Sequence, residues 1–272
     1  MNNDFFDWSR FRLYFKKEIT ERRRFYLLAL LGIYGGLTLL MWLGNLMYEA
    51  DNDLNADKVD LTFIRWFITS IGVFLSWISA SLMLPDLKTR PRRVAFLMTP
   101  ASTLEKYLAH VLLYVVVFLP AYFICVQAAD LTRFLLMKLT HPTVQATGLI
   151  NFVTPIVSGL WEIHPLLPVT LALGNLLMIA YFTLGAVIWP KYSFIKAYAS
   201  LYVISMAFLI VSVLINTFLY YVLRFVSDIF AGMSDTMTYL IVDLLLLCGC
   251  AALFTGAYRL LQRRDLQPLK LP

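Results

Sequence analysis

The side chains best suited to acid–base or metal chemistry in this sequence are its three histidines, His110, His141 and His164. None stands three or four residues from another, so no single helix can offer two imidazoles to one ion, and H-E-x-x-H is absent. In "WEIHP", Glu162 and His164 fall on divergent faces of a helix and Pro165 follows, which suits an interfacial belt better than a metal site. There is no G-x-S-x-G elbow to present a serine nucleophile. The Gly-Lys dipeptide of a phosphate loop is missing too, so this chain has no ATP-hydrolysing motif of its own. Cys125, Cys248 and Cys250 all sit in apolar runs and read as small buried hydrophobes, with no disulfide framework or zinc spacing. Catalytic residues and metal ligands are therefore expected to be absent, and an intramembrane enzyme is kept only as an alternative.

What surrounds these residues is apolar. Of 272 residues, 60% are hydrophobic and 15% charged, with a mean hydropathy of +0.72, whereas a soluble domain carries about 25% charged residues. The apolar residues fall into runs near the roughly 20 residues that a helix needs to cross a bilayer. The pattern predicts an all-α, polytopic integral membrane protein with six spans at about 25–48, 62–84, 107–127, 166–189, 198–221 and 237–260. "LINFVTPIVSGLWEI" (149–163) is apolar but short and broken by Pro155 and Gly159, so the outer region 128–165 is expected to hold a re-entrant or interfacial segment. No cleavable signal peptide is evident at the start.

Sidedness follows from Lys and Arg. They crowd residues 10–24, 88–106, 191–196 and 259–270, while the opposite loops hold only Lys58, Arg133, Lys138 and Arg224. Both termini are expected on the cytoplasmic side, with 261–272 a cytoplasmic tail. The net charge of +6 then belongs to anionic lipid headgroups and cytoplasmic partners, not to nucleic acid. Ahead of the first span, Phe5, Trp8, Phe11, Phe15 and Ile19 recur at helical spacing opposite Arg10 and Lys17, which predicts an amphipathic entry helix over 1–24 lying in the membrane plane. Two charges fall within spans, Arg65 in the second and Asp243 in the sixth, and both are candidates for a helix-packing ion pair or a substrate contact. Asn175 and Gln127 read as interhelical hydrogen-bond partners, and Gly32, Gly35 and Gly36 as a place of close helix approach.

The cytoplasmic connection 85–106, "PDLKTRPRRVAFLMTPASTLEK", breaks this apolar regularity. Pro85 and Pro91 interrupt the helix, Pro100 suits a helix-starting turn, and Ser102 with Glu105 suits a capping box opening the third span. Capping leaves Phe96, Leu97 and Met98 unexplained. Apolar side chains on such a loop point to a docking surface or to contact with lipid headgroups.

"RVAFLMTPASTLEKYL" resembles the Leu-Pro-Ala-Ser-x-x-Glu-Lys motif of permease subunits of type-2 ATP-binding-cassette exporters, in its Bacteroidota version, with Thr99 replacing the leucine. "YFTLGAVIWPKYSFIKAY" (181–198) resembles the fourth-span exit of the same group. The resemblance implies a coupling helix between the second and third spans, seated in a groove of a separate ATP-binding-cassette ATPase subunit. It places that contact at Phe96, Met98, Pro100, Ser102, Glu105 and Lys106, with Lys191, Tyr192 and Lys196 as a second contact. It also implies a second permease copy or paralogue as partner, ATP and magnesium on the ATPase, no cofactor on this chain, and a bacterial cytoplasmic membrane. A non-transporting membrane scaffold is the remaining alternative, although the short soluble portions give it little to present.

Overall fold

The computed structural model describes residues 6–51, 62–140, 154–214 and 235–266, and these are all-α, with no strand among them. The helices are α1 (Trp8–Asp51), α2 (Thr62–Ser81), α3 (Arg90–Met98), α4 (Thr103–Val111), α5 (Phe118–Thr140), α6 (Thr154–Ile163), α7 (Leu167–Ile188), α8 (Ser193–Leu214) and α9 (Asp235–Leu266). Six helical stretches are long and apolar enough to cross a membrane: Trp8–Gly44, Ile64–Ser81, Thr103–Leu139, Leu167–Ile188, Ser193–Val211 and Asp235–Arg263. This is a multi-pass membrane protein. The expected first outer loop (52–61) and most of the connection before the last span lie outside the described residues.

Two expected boundaries move. The entry helix and first span form one uninterrupted helix, with no break at residue 24. Its Asp7 accepts the Ser9 N–H at 2.8 Å, an N-cap that starts the helix just ahead of Trp8. The helix of the third span continues past 127, because α5 runs to Thr140, and beyond it α6 is the helix described in the region 128–165. Arg133, counted above as a loop cation, is instead inside that helix. It is fully buried, with its Nε donating to Asp130 at 2.7 Å.

The chain divides into two units, Met1–Ser76 with Leu104–Gly159, and Trp77–Thr103 with Leu160–Pro272. In the first, α1 packs on α5 around Leu37, Met41, Ile68, Cys125, Val126 and Ala129. A π-helical turn, Leu112–Val116, joins α4 to α5 and closes with Val117 N–H to the Leu112 carbonyl at 2.8 Å. Pro120 supplies a local cause. It offers no N–H to the Val116 carbonyl four residues back, and in a regular helix its ring would clash with that carbonyl, which a widened turn relieves. In the second unit α7 packs on α8 and α9. Asn175 accepts the Trp77 indole N–H at 2.9 Å, as its interhelical reading required. Cys125 and Cys250 are buried, but Cys248 is exposed. Gly32, Gly35 and Gly36 have no described neighbour within 4 Å of an added Cβ, so no close helix approach is made at them among the described residues.

Gly72 does make a close approach. A Cβ there would stand 2.6 Å from the Tyr122 ring, and that ring is held by its hydroxyl on the Ile68 carbonyl at 2.7 Å. Gly72→Ala should therefore destabilise by about 1–3 kcal/mol through overpacking. Gly256→Ala, with open space around it, should instead stabilise by up to about 1 kcal/mol, the ordinary helix preference for alanine. Thermal unfolding of the two variants in detergent checks the opposite signs.

Candidate functional site

Residues 85–103 of the first motif-bearing connection and the whole of the second belong to the second unit, and one hydrogen bond joins the stretches that carry them. α2 ends at Ser81, and Met83, Leu84 and Leu87 turn inward to anchor the 3-10 turn Pro85–Lys88. Thr89 is extended, as a residue two places before a proline readily is, and Pro91 sits in the first turn of α3, where its missing N–H costs nothing. Arg93 ties α3 back by donating to the Leu87 carbonyl at 3.1 Å. After Met98 the chain turns sharply, with Ala101 N–H on the Thr99 carbonyl at 2.8 Å. On the other connection α7 closes with Trp189 N–H on the Gly185 carbonyl at 2.8 Å, and Pro190 ends it. The Ser193 hydroxyl at the start of α8 then donates to the Ser81 carbonyl at the end of α2. Behind this junction the Trp77, Phe182 and Phe194 rings stack at centroid separations of 5.9 and 5.4 Å. Gly185 lets Ala197 approach, since a Cβ on it would meet the alanine's at 2.7 Å.

Tyr192 is the described non-glycine residue with a left-handed backbone, at φ 57°, and it is 73% exposed. Such a conformation costs a bulky residue about 1–2 kcal/mol. The anchored Ser193 and the Lys196 N–H on the Tyr192 carbonyl at 3.0 Å hold it there. An exposed aromatic kept in a strained turn, next to exposed Lys191 and Lys196, is poorly explained by folding alone.

The expected contact residues separate by burial. Met98 is 79% exposed, Pro100, Lys191 and Tyr192 are exposed, and Ser102 is half-buried. Phe96, Glu105 and Lys106 are buried, which corrects their reading as surface contacts. In an α3 of nine residues, one face must turn inward to hold the helix in place, and Phe96 is on that face. Glu105 belongs to the first unit and serves α1. Its carboxylate accepts the Asp7 N–H at 2.8 Å and the Arg10 guanidinium at 3.1 Å.

From Glu105 a column of polar side chains continues between α1 and the α4–α5 helix. Tyr14 meets His110 Nε2 at 3.2 Å, Glu18 pairs with Arg22, and the Tyr26 hydroxyl donates to that of Tyr114, in the π turn, at 3.3 Å. The buried face of the entry segment is accordingly Phe11, Tyr14 and Glu18, while Trp8 and Ile19 of the expected aromatic stripe stay exposed. Sequence reading missed this column because tyrosine and glutamate count as polar in a hydrophobic period. Their i, i+3 and i+4 spacing was the available signal. Of the intramembrane charges, Asp243 accepts the Thr170 hydroxyl at 2.7 Å in the second unit, and Arg65 is half-buried in the first. The buried Asp130–Arg133 pair was also missed.

No family model, curated protein or solved structure matches this chain.

Proposed function

We propose that the chain is the membrane-spanning permease subunit of an ATP-binding-cassette exporter in a bacterial cytoplasmic membrane, with both termini cytoplasmic. It forms the translocation path with a second copy or a paralogue, and a separate ATPase subunit supplies ATP and magnesium. The observation that carries this reading is the Ser193–Ser81 hydrogen bond, which fastens together the two connections whose sequences resemble that family. On these connections Met98, Pro100, Lys191 and Tyr192 offer apolar area edged by cations. Apolar area gives a docking patch its affinity, and charges at its rim give it register. Nucleotide-driven movement of the docked ATPase would shift the permease between two populated conformations.

Affinity capture of the tagged chain from its native membrane in mild detergent tests the proposal. An ATP-binding-cassette protein should accompany the wild type. It should fall by about tenfold or more with Met98→Glu/Tyr192→Glu, the loss expected when hot-spot side chains worth more than about 2 kcal/mol are removed. Both side chains are exposed, so the variant retains its fold. No ATPase with the wild type, or undiminished capture by the variant, overturns the reading.

A further inference from the structure

Asp243 lies eight residues after Asp235 in α9, about 12 Å along the helix axis. It is flanked by Val242 and Leu244 and is 8% exposed. Among the described residues its hydrogen-bonding partner is Thr170, whose hydroxyl donates to Oδ1 at 2.7 Å and also stands 3.2 Å from the Leu166 carbonyl. A carboxylate in an apolar helix is costly unless something positive meets it. One turn closer to the helix start, on the same face, is Tyr239. Its ring stacks on His164 at a centroid separation of 4.1 Å and 22°. The Nδ1 of His164 accepts the Leu166 N–H at 3.2 Å. Thr170, His164 and Tyr239 are each half-buried, so the carboxylate is approached past partly open side chains.

We propose that Asp243, Thr170 and Tyr239 form a binding site for the ammonium group of a primary alkylamine. The Oδ2 of Asp243 and the lone pairs of the Thr170 hydroxyl oxygen accept two of its three N–H groups. The Tyr239 face not covered by His164 offers a cation–π contact. The alkyl chain finds an apolar surface in exposed Leu240 and Leu244 on the same helix. A hydroxyl that both donates to the carboxylate and accepts from the ligand keeps the site satisfied in the bound state. The site rests on the geometry of the second unit and does not depend on the exporter reading. Should that reading also hold, amphiphilic amines are the class of cargo it implies.

The test uses the full chain in lipid nanodiscs, without any ATPase, and the fluorescent primary amine dansylcadaverine as probe. Saturable binding is expected for the wild type and not for the N-acetylated, uncharged form of the same probe. Asp243→Asn should weaken binding by about tenfold or more, the loss that matches one charge-assisted hydrogen bond. Thr170→Val should weaken it by a smaller factor. Absence of saturable binding, equal binding of the acetylated probe, or undiminished binding by Asp243→Asn overturns the proposal. Should Asp243→Asn fail to fold, the comparison of amine and acetylated probe on the wild type still decides.

Discussion

Asp130→Ala should lose most of its folded population, with a cost of about 3–5 kcal/mol, the range for breaking a buried ion pair from one side. Asp130 and Arg133 are both fully buried in the first unit, one helical turn apart, and the guanidinium Nε meets the carboxylate at 2.7 Å. Neither terminal nitrogen of Arg133 has a hydrogen-bond partner among the described residues. Among the described residues the carboxylate is therefore the group that compensates this cation. Remove it, and a positive charge remains buried without its partner and out of reach of water. Against a total stability of about 5–15 kcal/mol, such a loss is decisive. The double change Asp130→Leu/Arg133→Met removes both charges and keeps similar volume, so it should return to within about 1–2 kcal/mol of the wild type. Thermal unfolding in detergent, followed by circular dichroism, measures both. A single variant as stable as the wild type would show that the cation is compensated elsewhere.

The same pair explains why one boundary was not legible in the sequence. Six apolar runs of bilayer length were plain, because helix in lipid is dictated by run length and by the need to satisfy every backbone group internally. The end of the third span was not plain. "ADLTRFLLMK" falls in the expected outer region because Asp130, Arg133 and Lys138 interrupt the apolar run, and the i, i+3 placement of Asp130 and Arg133 lets their charges cancel while the helix continues to Thr140. The entry segment behaves alike. Composition divides it from the first span at its run of arginines, yet Glu18 and Arg22 pair along α1 and the helix passes through. A periodicity of apolar residues cannot show a face whose buried members are Tyr14 and Glu18, which His110 and Arg22 meet there. The docking connection was legible in position but not in orientation. Its prolines and its exposed Met98 stand where the residue types placed them, whereas the choice of Phe96 as the inward side chain was made by packing.

That choice separates folding from docking on α3. Phe96→Ala should loosen the helix by about 3–5 kcal/mol, the usual cost of truncating a buried phenylalanine. Met98→Ala should change stability by no more than about 0.5 kcal/mol, because a side chain 79% exposed gives up little on truncation. A helix of nine residues is marginal alone. It is held by the Arg93 tie to Leu87, by the prolyl start and by the burial of Phe96, and of these the ring contributes most apolar area. Hydrogen exchange over Arg90–Met98 should therefore accelerate strongly in Phe96→Ala and stay near wild type in Met98→Ala. Equal protection in both would sink the packing assignment and return Phe96 to the surface. If the expected difference appears, a loss of partner capture on changing Phe96 reports a melted α3. Capture by variants at Met98 and Tyr192 then becomes the direct reading of the contact, since those side chains leave the fold as it is.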